Sequence, residues 1–167
     1  MSRSALLSLA LALLNTSGLA GNLVSTEYRD PKVVFDFFFA NPQHIGSGLN
    51  WIRSYMNPLM EEPYNLAPDF MDIIVVVHGT ELVTLARHNY DKYQEAVERM
   101  RYYASLGVKF KACRQAANDY GYSTADFYDF VDVVPSAMAE VAHWQQLGYG
   151  LVIPQIHEKT FTIDEIR

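Results

Sequence analysis

The chain holds a single cysteine, Cys113, with Arg114 directly after it and Lys111 and Lys109 at alternate positions before it. A thiol works as a nucleophile in its thiolate form. Cys113 closes the apolar run Val108–Cys113, and Arg114 to Asp119 has the composition of a short helical turn. A thiol at such a junction sees the positive end of a helix dipole, and Lys111 and Arg114 add positive charge that would favour the thiolate and attract an anionic donor. His78 follows a second apolar run, Asp72–Val77, and becomes a base or ion-pair partner for Cys113 if the two runs are neighbours. Ser136 opens a helix after Pro135, where its hydroxyl caps free N–H groups or helps hold an anion. The blander reading is that Cys113 is a small buried hydrophobe, as lone cysteines usually are.

Other chemistries find little support. Gly46-Ser47-Gly48 begins like a dinucleotide loop, but Trp51 stands at the third glycine position and Asn41 to Ile45 separate the loop from the preceding apolar run. His44, His88, His143 and His157 are scattered without ligand spacing, so neither a metal nor a cofactor is expected. One cysteine excludes an intrachain disulfide and a cysteine-based zinc or iron–sulfur site within the chain. No GxSxG motif supports a serine hydrolase. Thirteen Lys and Arg against nineteen Asp and Glu give a net charge of −6 with no basic run, which argues against nucleic acid as a partner.

The elements that must position these residues follow from hydrophobic patterning over 167 residues, half of them hydrophobic, enough for one domain with a sizeable core. Five short apolar runs, at Lys32–Phe39, Asp72–Val77, Val108–Cys113, Val131–Val134 and Gly150–Ile153, alternate with helical stretches. The second is unbroken Ile and Val, as in a parallel strand covered on both faces. Ser47–Met56 reads as a helix stopped by Asn57-Pro58, Tyr90–Ser105 as a helix ended by Gly107, and Ser136–Leu147 as a helix closed by Gly148. This alternation predicts an α/β fold, a three-layer sandwich around a mainly parallel five-stranded sheet with right-handed crossovers. Sites in such sheets form beyond the carboxyl ends of the strands, where Cys113, His78 and Ser136 all fall. Tyr120, Tyr122, Phe127, Tyr128 and Phe130 are rich for a connecting segment and suit either packing or an oligomer contact.

Residues 1–20 read as an export signal peptide. Arg3 supplies the positive region, Ala5 to Leu14 an apolar core, and Gly18 and Ala20 the small residues of a cleavage site. The core is shorter than the roughly 20 apolar residues of a spanning helix, so no membrane span is expected after its removal. Cleavage would take away Arg3 and make the remainder one unit more negative, and would place the protein in the periplasm or outside the cell. Residues 21–31 read as an N-terminal tether, 32–154 as the domain and 155–167 as a C-terminal extension.

The order of these signals resembles the DsrE/DsrF-like family, including its YchN-like members. The resemblance rests on Asp72 to Gly79 (DIIVVVHG), Leu106 to Cys113 (LGVKFKAC), Val134 to Ala137 (VPSA) and Gln146 to Pro154 (QLGYGLVIP). It implies the family's compact α/β fold and assembly as a homotrimer or homohexamer. It also implies that Cys113 stands where sulfur-relay members carry the cysteine that accepts sulfane sulfur as a persulfide. The expected function is therefore that of an exported sulfur carrier or sulfurtransferase-like protein. Cys113 and His78 would be its catalytic residues, with Lys111, Arg114 and Ser136 binding a small sulfur anion, and a partner protein thiol as acceptor. The alternative is a non-enzymatic oligomeric binding or scaffold module with an inert cysteine.

Overall fold

The computed structural model describes residues 21–167, so the stretch 1–20 read as a signal peptide lies outside the described residues. Five strands form one sheet in the order β4-β3-β2-β1-β5, and every pair is parallel. They are β1 (Lys32–Phe37), β2 (Asp72–Val77), β3 (Lys109–Cys113), β4 (Val131–Val134) and β5 (Gly150–Val152). The two edge strands are the shortest, which limits the unpaired backbone offered to other chains. β2 runs beside β1 residue for residue from Lys32↔Asp72 to Phe37↔Val77, and its other side pairs Val77 with Ala112 of β3.

Alternation of side chains sorts the strands into two faces. Val33, Phe35 and Phe37 of β1 with Ile73, Val75 and Val77 of β2 face α1 (Ile45–Met60) and α2 (Tyr90–Ser105). α1 meets them with Ile45, Leu49, Ile52, Met56 and Leu59, and α2 with Tyr93, Val97, Met100 and Tyr103, each set at helical three-to-four spacing. The opposite face carries Val34, Ile74, Val76 and Cys113, covered by Ala137 and Val141 of α4 (Ala137–Gln146). The result is three layers with a large core on one side of the sheet and a small one on the other. Two further helices, α3 (Arg114–Asp119) and α5 (Ile163–Ile166), are short. Among the described residues no helix is long and apolar enough to cross a membrane.

The structure departs from the patterning at the ends of two elements. α1 continues through Pro58 to Met60 instead of stopping before it. Proline costs this helix one N–H bond near its end, and burial of Met56 and Leu59 in the main core holds the last turn regardless. The first strand ends at Phe37 and not Phe39. The Phe39 N–H is taken by the Glu81 carboxylate at 2.8 Å and its carbonyl by Thr80, so its backbone bonds leave the ladder. Within the aromatic segment Phe127 and Tyr128 are buried, and Tyr128 stacks on Phe130 at 5.4 Å under the Arg101 guanidinium, while Tyr120 is exposed.

Candidate functional site

β3 delivers Cys113 to the carboxyl edge of the sheet, where the chain turns directly into α3. Its thiol points to the α4 face and is packed with Val34, Ile74, Val76 and Ala137. The residue is 4% exposed. The backbone N–H of Ala137 donates to Cys113 Sγ at 3.4 Å. Ala137 is the first residue of α4, so a free N–H of a ten-residue helix is directed at the sulfur, where it opposes negative charge favourably. Ser136 is the N-cap of that helix, its hydroxyl accepting from the Ala139 N–H at 3.5 Å. Its role in the structure is the cap that fixes where α4 begins.

His78 leaves β2 one residue beyond the Val77↔Ala112 pair, which sets it beside Cys113 on the neighbouring strand and the same face. Its Nε2 donates to Asp36 Oδ1 at 2.7 Å, both side chains being about 15% exposed. The imidazole stacks on Phe38, ring centroids 4.8 Å apart. Cys113 and His78 thus lie side by side at the ends of β3 and β2, and Asp36 of β1, level with Val76, reaches His78 from two residues earlier on the same face. Asp36 was not among the residues singled out from the sequence. The signal was present, since it is the one acid in the apolar run Lys32–Phe39 and shares the alternation of Val34 and Phe38.

The two cations occupy different situations. Lys111 Nζ lies 3.4 Å from both Asp132 and Glu140, over the Trp144 ring at 5.7 Å, with its side chain only 12% exposed. Trp144 Nε1 in turn donates to Glu140 at 2.8 Å. The lysine's charge is therefore neutralised inside a network that holds α4 onto β3, which removes the reason for expecting it to draw an anion. Arg114 is exposed on the first turn of α3 and forms no ion pair among the described residues.

A second carboxylate also escaped sequence reading. Glu81 is fully buried in the turn after β2 and accepts the N–H of Phe39 at 2.8 Å and of Gly79 at 2.9 Å. Burial pushes its carboxyl above the ordinary range, outweighing the lowering effect of these N–H bonds. The carboxylate ties the end of β1 to the end of β2. Gly79 makes the approach possible, since a Cβ there would lie 2.4 Å from the Phe39 nitrogen and from Glu81 Oε2. Gly46 and Gly48, by contrast, belong to the first turn of α1. A Cβ on Gly48 would stand 2.8 Å from the rings of Phe37 and Phe39, so this glycine admits aromatic packing and the phosphate-loop reading has no structural basis. Among the described residues no group of three His, Cys, Asp or Glu side chains could hold a metal ion.

Beside His78 and Asp36 opens a cavity of about 750 Å³. Asp36, Phe38, His78, Met138, Ile153 and Pro154 are among its walls, and Cys113 is not. α1 leaves β1 over one face of the sheet, whereas α4 reaches β5 over the other. The carboxyl ends of β1 and β5 therefore form a crevice at a topological switch point.

An all-parallel α/β sandwich with a cysteine, a histidine and a cavity along its carboxyl edge defines the class of protein. The family model of the DsrE/DsrF-like family matches residues 32–154, and the chain belongs to that family. A solved structure titled as a protein of unknown function, MTH1491 from Methanobacterium thermoautotrophicum, is similar in fold. Its TM-score is 0.60 at 23% identity, over 75% of this chain and 100% of that one. No curated protein matches significantly.

Proposed function

We propose that this protein is a sulfur carrier that takes sulfane sulfur onto Cys113 as a persulfide and passes it to an acceptor thiol. The observation that carries the reading is the Ala137 N–H directed at Cys113 Sγ, on the strand beside His78. Cys113 thiolate attacks the outer sulfur of the donor, the donor's sulfur–sulfur bond breaks, and the donor's remainder leaves with the electron pair. With thiosulfate the leaving group is sulfite. His78, hydrogen-bonded to Asp36 and on the strand beside Cys113, is the base this reading assigns to the thiol proton. With no second cysteine in the chain, the next transfer goes to another molecule. The leader pattern at 1–20 supports a periplasmic or secreted location. Family membership supports assembly as a homotrimer or homohexamer, and the exposed Leu147 and Leu151 on the thinly covered side of the sheet suit such a contact. The test is to expose the protein to inorganic and organic sulfane donors, trap the product with an alkylating agent and map it. An added sulfur on the peptide containing Cys113 supports the carrier reading, and an unmodified thiol with every donor overturns it.

One observation favours the second reading, a binding or scaffold module with an inert cysteine: Cys113 is 4% exposed and lined by aliphatic side chains. That reading expects maleimide to label Cys113 only after denaturation, and the carrier reading expects labelling of the folded protein.

A further inference from the structure

The cavity beside His78 and Asp36 has a composition that selects among sulfur donors. Its walls include Phe38, Met138, Ile153 and Ile156, the first three of them 69%, 56% and 52% exposed as surface side chains. Among the described residues its titratable side chains are Asp36, His78 and His44, and no lysine or arginine is among its walls. Asp36 and His78 are hydrogen-bonded to each other at 2.7 Å, so the imidazole already has a carboxylate partner of its own. Lys111, on the same sheet face, is compensated by Asp132 and Glu140. Arg114 stands outside the cavity on α3. A dianion such as thiosulfate would have to leave water for an apolar, acid-lined space, which is unfavourable without a paired cation. A donor with a carbon body loses little on entering and buries apolar surface against Phe38 and Ile153. The cavity's walls include neighbours of the reacting residue. His78 is a wall residue and the neighbour of Cys113 across the sheet, and Met138 follows the residue whose N–H reaches Sγ.

Resting on the carrier reading, we propose that the cavity at the β1–β5 crevice is the donor site and that its substrate class is a low-molecular-weight organic persulfide, with inorganic thiosulfate disfavoured. In the transfer, Cys113 thiolate bonds to the outer sulfur of R–S–SH and the S–S bond of the donor breaks. R–S⁻ then departs with the electron pair, while the cysteine retains the transferred sulfur and its proton. No oxidant or reductant is needed. The carbon group R occupies the space between Phe38 and Ile153 while Asp36 keeps His78 turned toward the cavity wall.

The test compares initial rates of sulfur loading from benzyl persulfide and from thiosulfate at equal concentration, read by intact-protein mass, for the wild type, Phe38→Ala and Ile153→Ala. The expected result is faster loading from benzyl persulfide in the wild type, with each truncation lowering the organic-to-inorganic rate ratio roughly tenfold. Thiosulfate loading as fast as benzyl persulfide, or a ratio that neither truncation moves, overturns the donor assignment and leaves the carrier function standing. Loading from neither donor overturns the carrier function. A separate titration then addresses the cavity alone: benzyl mercaptan added to Cys113→Ser, followed by NMR, shifts the Phe38 and Ile153 resonances if the site takes the carbon body. The absence of any shift there overturns the site itself.

Discussion

The two faces of the sheet are made from the same strands and do different jobs. Toward α1 and α2 the side chains of β1 and β2 are uninterrupted aromatic and branched aliphatic residues, and the helices cover them completely. Toward α4 the alternate positions of the same strands read Val34-Asp36-Phe38, Ile74-Val76-His78 and Lys109-Lys111-Cys113, and one helix covers only part of them. The first face supplies most of the buried area, and the second places polar and reactive groups at its carboxyl edge. On the carrier reading proposed above, stability and chemistry fall on opposite faces of one sheet, so a mutation's effect should depend on its parity along the strand.

Phe35→Ala, on the covered face, is the most direct way to break this contrast. Phe35 is 1% exposed, and its truncation should cost about 3–5 kcal/mol in denaturant unfolding. A loss as small as that at an exposed site would contradict the assignment of the main core. Glu81→Gln, at the seam between the ends of β1 and β2, should cost about 1–3 kcal/mol because the amide offers one oxygen where Phe39 and Gly79 each donate to a separate carboxyl oxygen. Its pH dependence has a definite sign. The folded chain holds the Glu81 proton more tightly than the unfolded one, so the contribution is fully present below the usual 4.5. It is lost as pH rises through the raised folded value, and wild-type unfolding should show this decline while Glu81→Gln does not. Lys111→Met should cost about 1–2 kcal/mol through the loss of its partly buried pairs with Glu140 and Asp132. The same variant should leave the preference between sulfur donors where it was, since that charge is neutralised internally; a changed preference would restore Lys111 as a donor-binding residue. Phe38→Ala should move stability by no more than about 0.5 kcal/mol in thermal unfolding while changing donor preference.

The covered face was the legible part of the sequence. The run Asp72–Val77, the helix Tyr90–Ser105 and the run Val131–Val134 coincide with β2, α2 and β4, because continuous β-branched residues and regular helical spacing signal burial without reference to the rest of the chain. The candidate site was legible only at its ends. Cys113 and His78 stand out as reactive types at strand termini, and the structure sets their strands side by side. Asp36 was hidden because its partner is 42 residues away and the run around it reads as uniformly apolar. Glu81 was hidden for the opposite reason: a glutamate in a turn looks solvated, and only the close approach of Phe39 past Gly79 buries it. The neutralisation of Lys111 needed the register of β3 against β4 and the placement of α4, which no local pattern encodes.

The measurement that tests the central claim most directly is the intact mass of the folded protein after exposure to a sulfane donor, with Cys113→Ser treated in parallel. The account predicts a reducible gain of one sulfur on the wild type and none on the variant. Equal gains on both, or no gain on either while the variant unfolds like the wild type, would contradict it.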